Sequence, residues 1–407
     1  MGENSLTRSR KFTPELVFTS VLELVSAGRG QGYEFALQTT WSEQKLNPFQ
    51  TPVKSSFSEA RSKLSYEFFK NIWSEQVKAC RQKRQTYKGL FVYAVDGSDL
   101  DLPNTRSVID GGFRGFKWSK DMETYYPKMY VVQAYDVLNK ITYAFNSTHE
   151  YNKERPVARL LVKEYEKNSV AIYDRLHSSH PLFLAHAEAG NYFLVRCVDE
   201  GKPMSRFVRD FKSSHKKEMT VMWDEKLSHR GERHPVKVRL IKIKNPRTKK
   251  ESVFATNLPE NFNRKDMAGL YAKRWEVETS FKTLFDTLSM SKWHAKSING
   301  ILQEIYVLLW LVNSVQMQIN ALERRSDEPL GLSYERSNLK LCLAIVMQNL
   351  RLLIKRCGAK LNELIQLCIR RTRQKRRHYS RSYPRVVHSY GTGFNVENSV
   401  PRRPAHP

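Results

Sequence analysis

The sequence is short of the features that mark a secreted or membrane-bound chain. Cysteine is scarce: Cys80, Cys197, Cys342, Cys357 and Cys368 are an odd number, widely spaced, with no C-x-x-C pair. That spacing excludes a disulfide framework and offers no zinc site, so the cysteines read as structural. No uninterrupted apolar run reaches the roughly 20 residues that a bilayer requires. The most apolar stretch, Ile305 to Val315, is broken by Asn313 and Ser314 and reads as a buried core helix. Met1 to Thr13 is polar and charged, without the apolar segment of a secretory signal. The expectation is a chain that stays in a reducing cytoplasm and engages no membrane. Acidic residues are also in deficit, 41 Asp and Glu against 68 Lys and Arg, for a formal net charge of +27 and a pI near 9.8. This balance favours a polyanionic partner, and with no basic amphipathic helix to lie on an anionic bilayer, nucleic acid leads.

At 407 residues the chain is long enough for two or three domains. From Thr13 to about Lys88 apolar residues recur at helical spacing (Leu16, Val17, Val21, Leu22, Leu24, Val25, then Phe57, Ala60, Leu64, Phe68, Ile72), which predicts an all-helical region over residues 1–88. Ser55 to Lys63 carries Ser, Arg and Lys on one side of a helix; that face suits phosphate contacts and equally suits plain solvation. Strands follow. Leu90-Phe-Val-Tyr-Ala-Val95 reads as a strand buried on both faces and ends at Asp96-Gly97. A hairpin is predicted from Met129 to Val137 and Ile141 to Phe145, then a helix over about 155–167 with Val157, Leu160, Leu161 and Tyr165 on one side. Val170 to Tyr173 makes a short strand ending at Asp174, Pro181 to Ala189 a helix, and Tyr192 to Val198 another strand.

A right-handed crossover from the hairpin through the first of these helices would bring the strand before Asp174 alongside the strand before Asp96. Both aspartates then meet at one sheet edge, where two carboxylates repel unless a cation lies between them, so the arrangement implies metal. Asp99 and Asp101 are local rivals of Asp96, but they lie beyond the glycine on an expected loop. Asp110 and Asp136 read as structural or surface charges, and His177 and His186 as surface or core histidines without a partner at metal spacing.

Residues 201–257 form a basic segment in which Val236 to Ile243 alternates apolar with Lys and Arg, the period of a half-buried sheet; it reads as a β-rich insertion beside the core. Residues 326–369 read as helical, and 370–407 as a basic tail, disordered until it meets DNA. The segment Leu270 to Leu284 holds no proline and reads as one helix. At about 100° per residue, Leu270, Val277, Phe281, Leu284 and Leu288 form a buried stripe. Tyr271, Arg274, Trp275, Glu278 and Lys282 gather beside it, so two aromatics, two cations and one carboxylate project toward a common point. An Arg274–Glu278 ion pair flanked by packed aromatics would give the same pattern.

Tyr271-x2-Arg274-x3-Glu278 resembles the signature of the DDE transposases of bacterial insertion sequences, specifically the insertion-sequence-four family. The final lysine of that signature is replaced by Phe285, with Lys282 one turn from Glu278 as the nearest substitute. Val53 to Leu64, Val95-Asp-Gly-Ser98, Tyr173-Asp-Arg175 and Phe254-Ala-Thr-Asn-Leu258 resemble, in order, the family's N-terminal helical region, its first two acidic motifs and the strand before the glutamate helix.

The resemblance implies an α/β chain with a ribonuclease-H-like catalytic core over residues 89–325, preceded by a helical DNA-binding domain (1–88) and followed by a helical C-terminal region (326–369). It implies a DNA transposase whose Asp96, Asp174 and Glu278 hold two Mg²⁺ ions, for which Mn²⁺ would substitute, to cut double-stranded DNA at transposon ends and join it to a target. Two such ions, roughly 3.5–4 Å apart, activate the attacking oxygen and stabilise the leaving one. Tyr271, Arg274, Trp275 and Lys282 are the implied DNA contacts, a homodimer the implied assembly, and the bacterial nucleoid the implied location. A nuclease that cuts without joining, or an inactive DNA-binding descendant, fits the same residues.

Overall fold

Four helices come first: α1 (Pro14–Ser26), α2 (Tyr33–Glu43), α3 (Lys54–Lys63) and α4 (Tyr66–Ala79). The structure, a computed structural model, describes residues 12–26, 32–115, 117–119, 122–123, 125–150, 154–198, 200–201, 204–224, 234–244, 249–288, 290, 292–325, 335–354, 358–372 and 374–375. Ser65 caps α4, its hydroxyl accepting from the Glu67 N–H at 3.2 Å. The chain then enters β1 (Phe91–Asp101), a short α5 (Arg106–Asp110), a ribbon of β2 (Lys117–Ser119) and β3 (Met122–Glu123), and the hairpin β4 (Lys128–Asp136) and β5 (Ile141–Thr148). Next come α6 (Glu154–Leu161), β6 (Ser169–Tyr173), α7 (His180–Ala189), β7 (Tyr192–Arg196), α8 (Arg206–Ser213), β8 (Glu218–Trp223), β9 (Val236–Lys244) and β10 (Glu251–Thr256). Helices α9 (Arg264–Ala272), α10 (Trp275–Lys282) and α11 (Ile298–Arg325) precede a C-terminal set of β11 (Glu335–Arg336), α12 (Leu339–Gln348), α13 (Leu350–Ile354), α14 (Gly358–Thr372) and β12 (Gln374–Lys375).

Eight strands form one mixed sheet in the order β5-β4-β1-β6-β7-β10-β9-β8. β6 pairs parallel with both β1 and β7, and the hairpin adds antiparallel to β1. The basic segment continues the sheet: β10 pairs antiparallel with β7 and carries β9 and β8 beyond it. It therefore lengthens the sheet from the open edge of β7 instead of lying beside it. Alternation along the strands sorts side chains onto two faces. Val92, Ala94, Val170 and Ile172 share an apolar cluster with the N-terminal helices, α10 and α11, while Tyr93, Val95, Ala171 and Tyr173 pack against α6, α7 and α8.

Helix α11 runs through the first of these clusters, and its most apolar 18-residue window is 78% buried, although its length and composition alone would suffice to cross a bilayer. Its polar interruptions have partners. The Asn313 amide takes the Thr142 N–H (3.0 Å) and donates to the Thr142 carbonyl (2.9 Å) on edge strand β5, and the Ser314 hydroxyl accepts from Gln76 at 2.6 Å. Arg61 of α3 is buried against α11, donating to Gln303 Oε1 (2.9 Å), the Gly300 carbonyl (2.9 Å) and Glu304 Oε1 (3.1 Å). No gap in the apolar core separates residues before 88 from those after it.

Some sequence expectations shift. β1 does not end at Gly97: it continues to Asp101 because β4 supplies partners as far as Lys128. Asp99 and Asp101 thus sit on a strand and pair with Lys128 at 2.8 and 2.6 Å. Leu160 is exposed, since the buried face of α6 is set by Val157, Ala158 and Leu161 and Leu160 points away from it. Asp136 is structural, buried between Arg84 and the Asn139 amide. The four described cysteines form no disulfide, and Cys357 and residues 376–407 of the basic tail lie outside the described residues.

Candidate active site

The parallel register of β1 and β6 fixes two carboxylates at one level. Ala94 opposes Ile172 as the last paired residues, and Asp96 and Asp174 each stand two residues further along. By the same alternation both belong to the face that carries Val92, Ala94, Val170 and Ile172, the face covered by α10. Gly97 beside Asp96 is required by packing: a Cβ there would sit 2.9 Å from the Tyr130 ring and 3.1 Å from the Glu154 carboxyl carbon.

α10 brings the third acidic group. The stretch predicted as one helix is divided: α9 closes on i→i−3 bonds, with Lys273 N–H to Leu270 O and Arg274 N–H to Tyr271 O, and α10 begins at Trp275. A π-helical segment then spans Thr283–Thr287. The apolar stripe survives both irregularities, with Leu270, Val277, Phe281, Leu284 and Leu288 all buried. Ser280 lies 3.4 Å from Gln133, which in turn accepts from the Thr142 hydroxyl at 3.1 Å, so α10 is pinned over β4 opposite Asp96.

Arg274 links the carboxylates. Its guanidinium donates to Glu278 Oε1 at 2.9 Å and lies 3.6 Å from Asp96 Oδ2, and it also stacks over the Trp275 ring at 4.9 Å. Trp275 is 51% exposed; Lys282 is exposed one turn beyond Glu278. Tyr271 packs edge-on to Phe254 at 4.7 Å, its phenol pushed up by burial against the pull of Arg274 and of Arg196 at the end of β7. Phe285, at the position where a lysine was sought, stacks on Phe281 in the core.

Electrostatics separate the two aspartates. Burial first, then the charge of Glu154, push the Asp96 carboxyl from 3.8 up to about 6, against Arg274 and the Gly97 N–H. Asp174 is partly desolvated, yet its carboxyl is held below its usual value by His177 and by the Leu176 N–H. Asp174 Oδ1 takes His177 Nδ1 at 2.8 Å and the Leu176 N–H at 2.9 Å, an arrangement that fixes its rotamer.

Two neighbours escaped the sequence reading. Glu154 opens α6 and accepts from the Tyr130 hydroxyl at 3.1 Å, and His177 lies between Glu154 and Asp174. A glutamate at a helix start carries no local signal, and the folded hairpin holds it through Tyr130; the one local signal for His177 is its place three residues after Asp174. His177 is buried, but as a partner of Asp174 and not as an isolated core histidine. His186 is the isolated one, buried between Tyr173 and Asn191 with burial holding its pKa down at about 3.

Three carboxylates, Asp96, Asp174 and Glu278, thus gather about one guanidinium, and a fourth, Glu154, adds its charge beside Asp96. Such an excess of hard oxygen donors fits divalent Mg²⁺ in charge and chemistry. As the side chains stand, with Asp96 and Glu278 both turned to Arg274, no three His, Cys, Asp or Glu groups among the described residues jointly reach one ion.

A family model described as the transposase DDE domain matches residues 88–314, which contain all of these groups. A search of curated proteins finds no match. Among solved structures, the chain is similar to the cryo-EM structure of a piggyBac transposase synaptic complex with hairpin DNA, at 12% identity and a TM-score of 0.43, over 88% of this chain and 77% of that one.

Proposed function

Given that the chain belongs to the transposase DDE domain family, we propose that it is a transposase that binds transposon ends, cuts them and joins them to target DNA, with Asp96, Asp174 and Glu278 as its acidic triad. The observation that carries this reading is the register of β1 and β6, which levels Asp96 with Asp174 on the face that α10 covers with Glu278. The same pair of strand ends supports a ribonuclease-H-like core, and the Tyr271, Arg274, Glu278 spacing supports the insertion-sequence-four group. On this reading 1–88 and the C-terminal helices are accessory regions, the active assembly is a homodimer holding two ends, and the site of action is the bacterial nucleoid.

When bound, Mg²⁺ supplies an activated oxygen nucleophile and a stabilised leaving oxygen. Asp96 would share the metal with Asp174, its level partner on β6, and with Glu278, to which Arg274 links it. His177 and the Leu176 N–H hold Asp174 in one rotamer. Arg274 keeps Asp96 and Glu278 close, and its bidentate fork suits a DNA phosphate once those carboxylates are otherwise engaged. Trp275 offers an exposed ring for an unstacked base. No side chain need act as a covalent nucleophile.

The test is to incubate linear DNA carrying the sequences that flank the coding region with the protein, a supercoiled plasmid and Mg²⁺. Cleavage at the flanks together with flank-plasmid joint molecules is the expected result. Cleavage without joint molecules would favour a nuclease of the same architecture. No cleavage by wild-type protein that binds the DNA would point to an inactive descendant.

A further inference from the structure

We propose that Glu154 is a fourth metal-holding carboxylate of this site, placed beside Asp96 by α6 and facing the buried His177 at 3.5 Å. The inference rests on the metal-dependent reading of the site and extends it to a residue outside the acidic triad.

A glutamate in the first turn of a helix is ordinarily a solvated complement to the helix dipole. Glu154 is not solvated in that way: its side chain is 18% exposed, and its carboxyl carbon lies where a Cβ on Gly97 would be 3.1 Å away. One oxygen, Oε2, accepts from the Tyr130 hydroxyl. The other, Oε1, has no hydrogen-bond donor among the described residues; the nearest nitrogen is His177 Nε2 at 3.5 Å. That nitrogen is itself buried, on a side chain 1% exposed, and has no hydrogen-bond partner among the described residues. Buried polar atoms are nearly always satisfied, so an Nε2 and an Oε1 that stand 3.5 Å apart without a hydrogen bond between them leave both atoms open to a third participant beside the pair. A hydrated divalent cation suits that role, because Oε1 offers a hard anionic donor and a metal-bound water can meet the imidazole nitrogen. A side chain at residue 97 would meet the Tyr130 ring and the Glu154 carboxyl carbon, so glycine there is what lets Glu154 sit beside Asp96.

A purely structural Glu154 would serve only to hold Tyr130, and the two roles separate in a binding measurement. Mn²⁺ alone is titrated by calorimetry into the full chain without DNA, for wild type, Glu154→Gln, Tyr130→Phe and Asp96→Asn, with thermal unfolding in EDTA reporting the fold of each. Glutamine keeps an acceptor for Tyr130 and loses the charge. The expected result is at least tenfold weaker Mn²⁺ binding, or one ion fewer, for Glu154→Gln, with Tyr130→Phe within threefold of wild type and all variants folded. Wild-type Mn²⁺ binding by folded Glu154→Gln, or equal weakening in Tyr130→Phe, overturns the proposal. If Glu154→Gln does not fold, Glu154→Asp replaces it, keeping the charge but shortening the reach, and wild-type Mn²⁺ binding by that variant likewise overturns the proposal. Loss of binding in Asp96→Asn with none in Glu154→Gln refutes Glu154 alone, whereas unchanged binding in Asp96→Asn refutes the metal site itself.

Discussion

Replacing Asp96 with asparagine should stabilise the metal-free protein at neutral pH while removing its activity. The carboxyl is raised from 3.8 to about 6, chiefly by burial and then by Glu154. The native state therefore holds this proton more tightly than the unfolded chain does. Between those two values the native state binds more protons, so stability falls as pH rises through the window and stays lowered above about 6. At about 1.4 kcal/mol per pKa unit the full difference is about 3 kcal/mol. With the side chain 23% exposed, water screens part of the penalty, and about 2 kcal/mol is a fairer figure. Asparagine keeps the shape and drops the charge. Urea unfolding in EDTA should find Asp96→Asn more stable than wild type by roughly 2 kcal/mol at pH 7.5 and indistinguishable near pH 4. Added Mg²⁺ should then stabilise wild type more than the variant. An Asp96→Asn protein less stable than wild type at pH 7.5 without metal would refute the reasoning, because the Arg274 attraction would then outweigh burial and the neighbouring carboxylates.

Arg61→Ala should destabilise the fold by about 3–5 kcal/mol, since it strands the buried Glu304 carboxylate; urea unfolding measures this, and a second change, Glu304→Gln, should recover part of the loss. Trp275→Ala should leave unfolding within about 0.5 kcal/mol of wild type, as expected for an exposed site. Its affinity for single-stranded oligonucleotides should nonetheless fall about tenfold, the lower part of the range for one stacked base, as read by fluorescence anisotropy. Duplex DNA affinity should fall steeply and linearly on a log–log plot against salt, as a chain of net charge +27 that neutralises phosphates requires. A flat response would remove the electrostatic argument.

The sheet was legible where its strands are uniformly apolar. Leu90 to Val95 and Val170 to Tyr173 could be buried only as central strands, and their ends gave Asp96 and Asp174. The continuation of β1 through Ser98 to Asp101 was hidden, because Asp-Gly and alternating aspartates look like a turn until β4 provides a partner. The buried stripe of α10 was legible from its period. The tightened turn at Lys273 and Arg274 and the π-helical segment after Lys282 were not, since both depend on how α10 settles over Gln133. Arg61 and Glu304 look like ordinary charged positions, and their pairing is set by the docking of α3 on α11 across most of the chain. The same holds for Glu154; His177 meets Asp174 locally, three residues on, and only its approach to Glu154 is non-local.

The most direct test of the account is a strand-transfer assay with pre-cut end DNA, a target plasmid and Mg²⁺, comparing wild type with Asp96→Asn, Asp174→Asn and Glu278→Gln. The account predicts that each variant still folds and binds the ends, yet joins them at least a thousandfold more slowly. Joining within tenfold of wild type by any one of the three would contradict it.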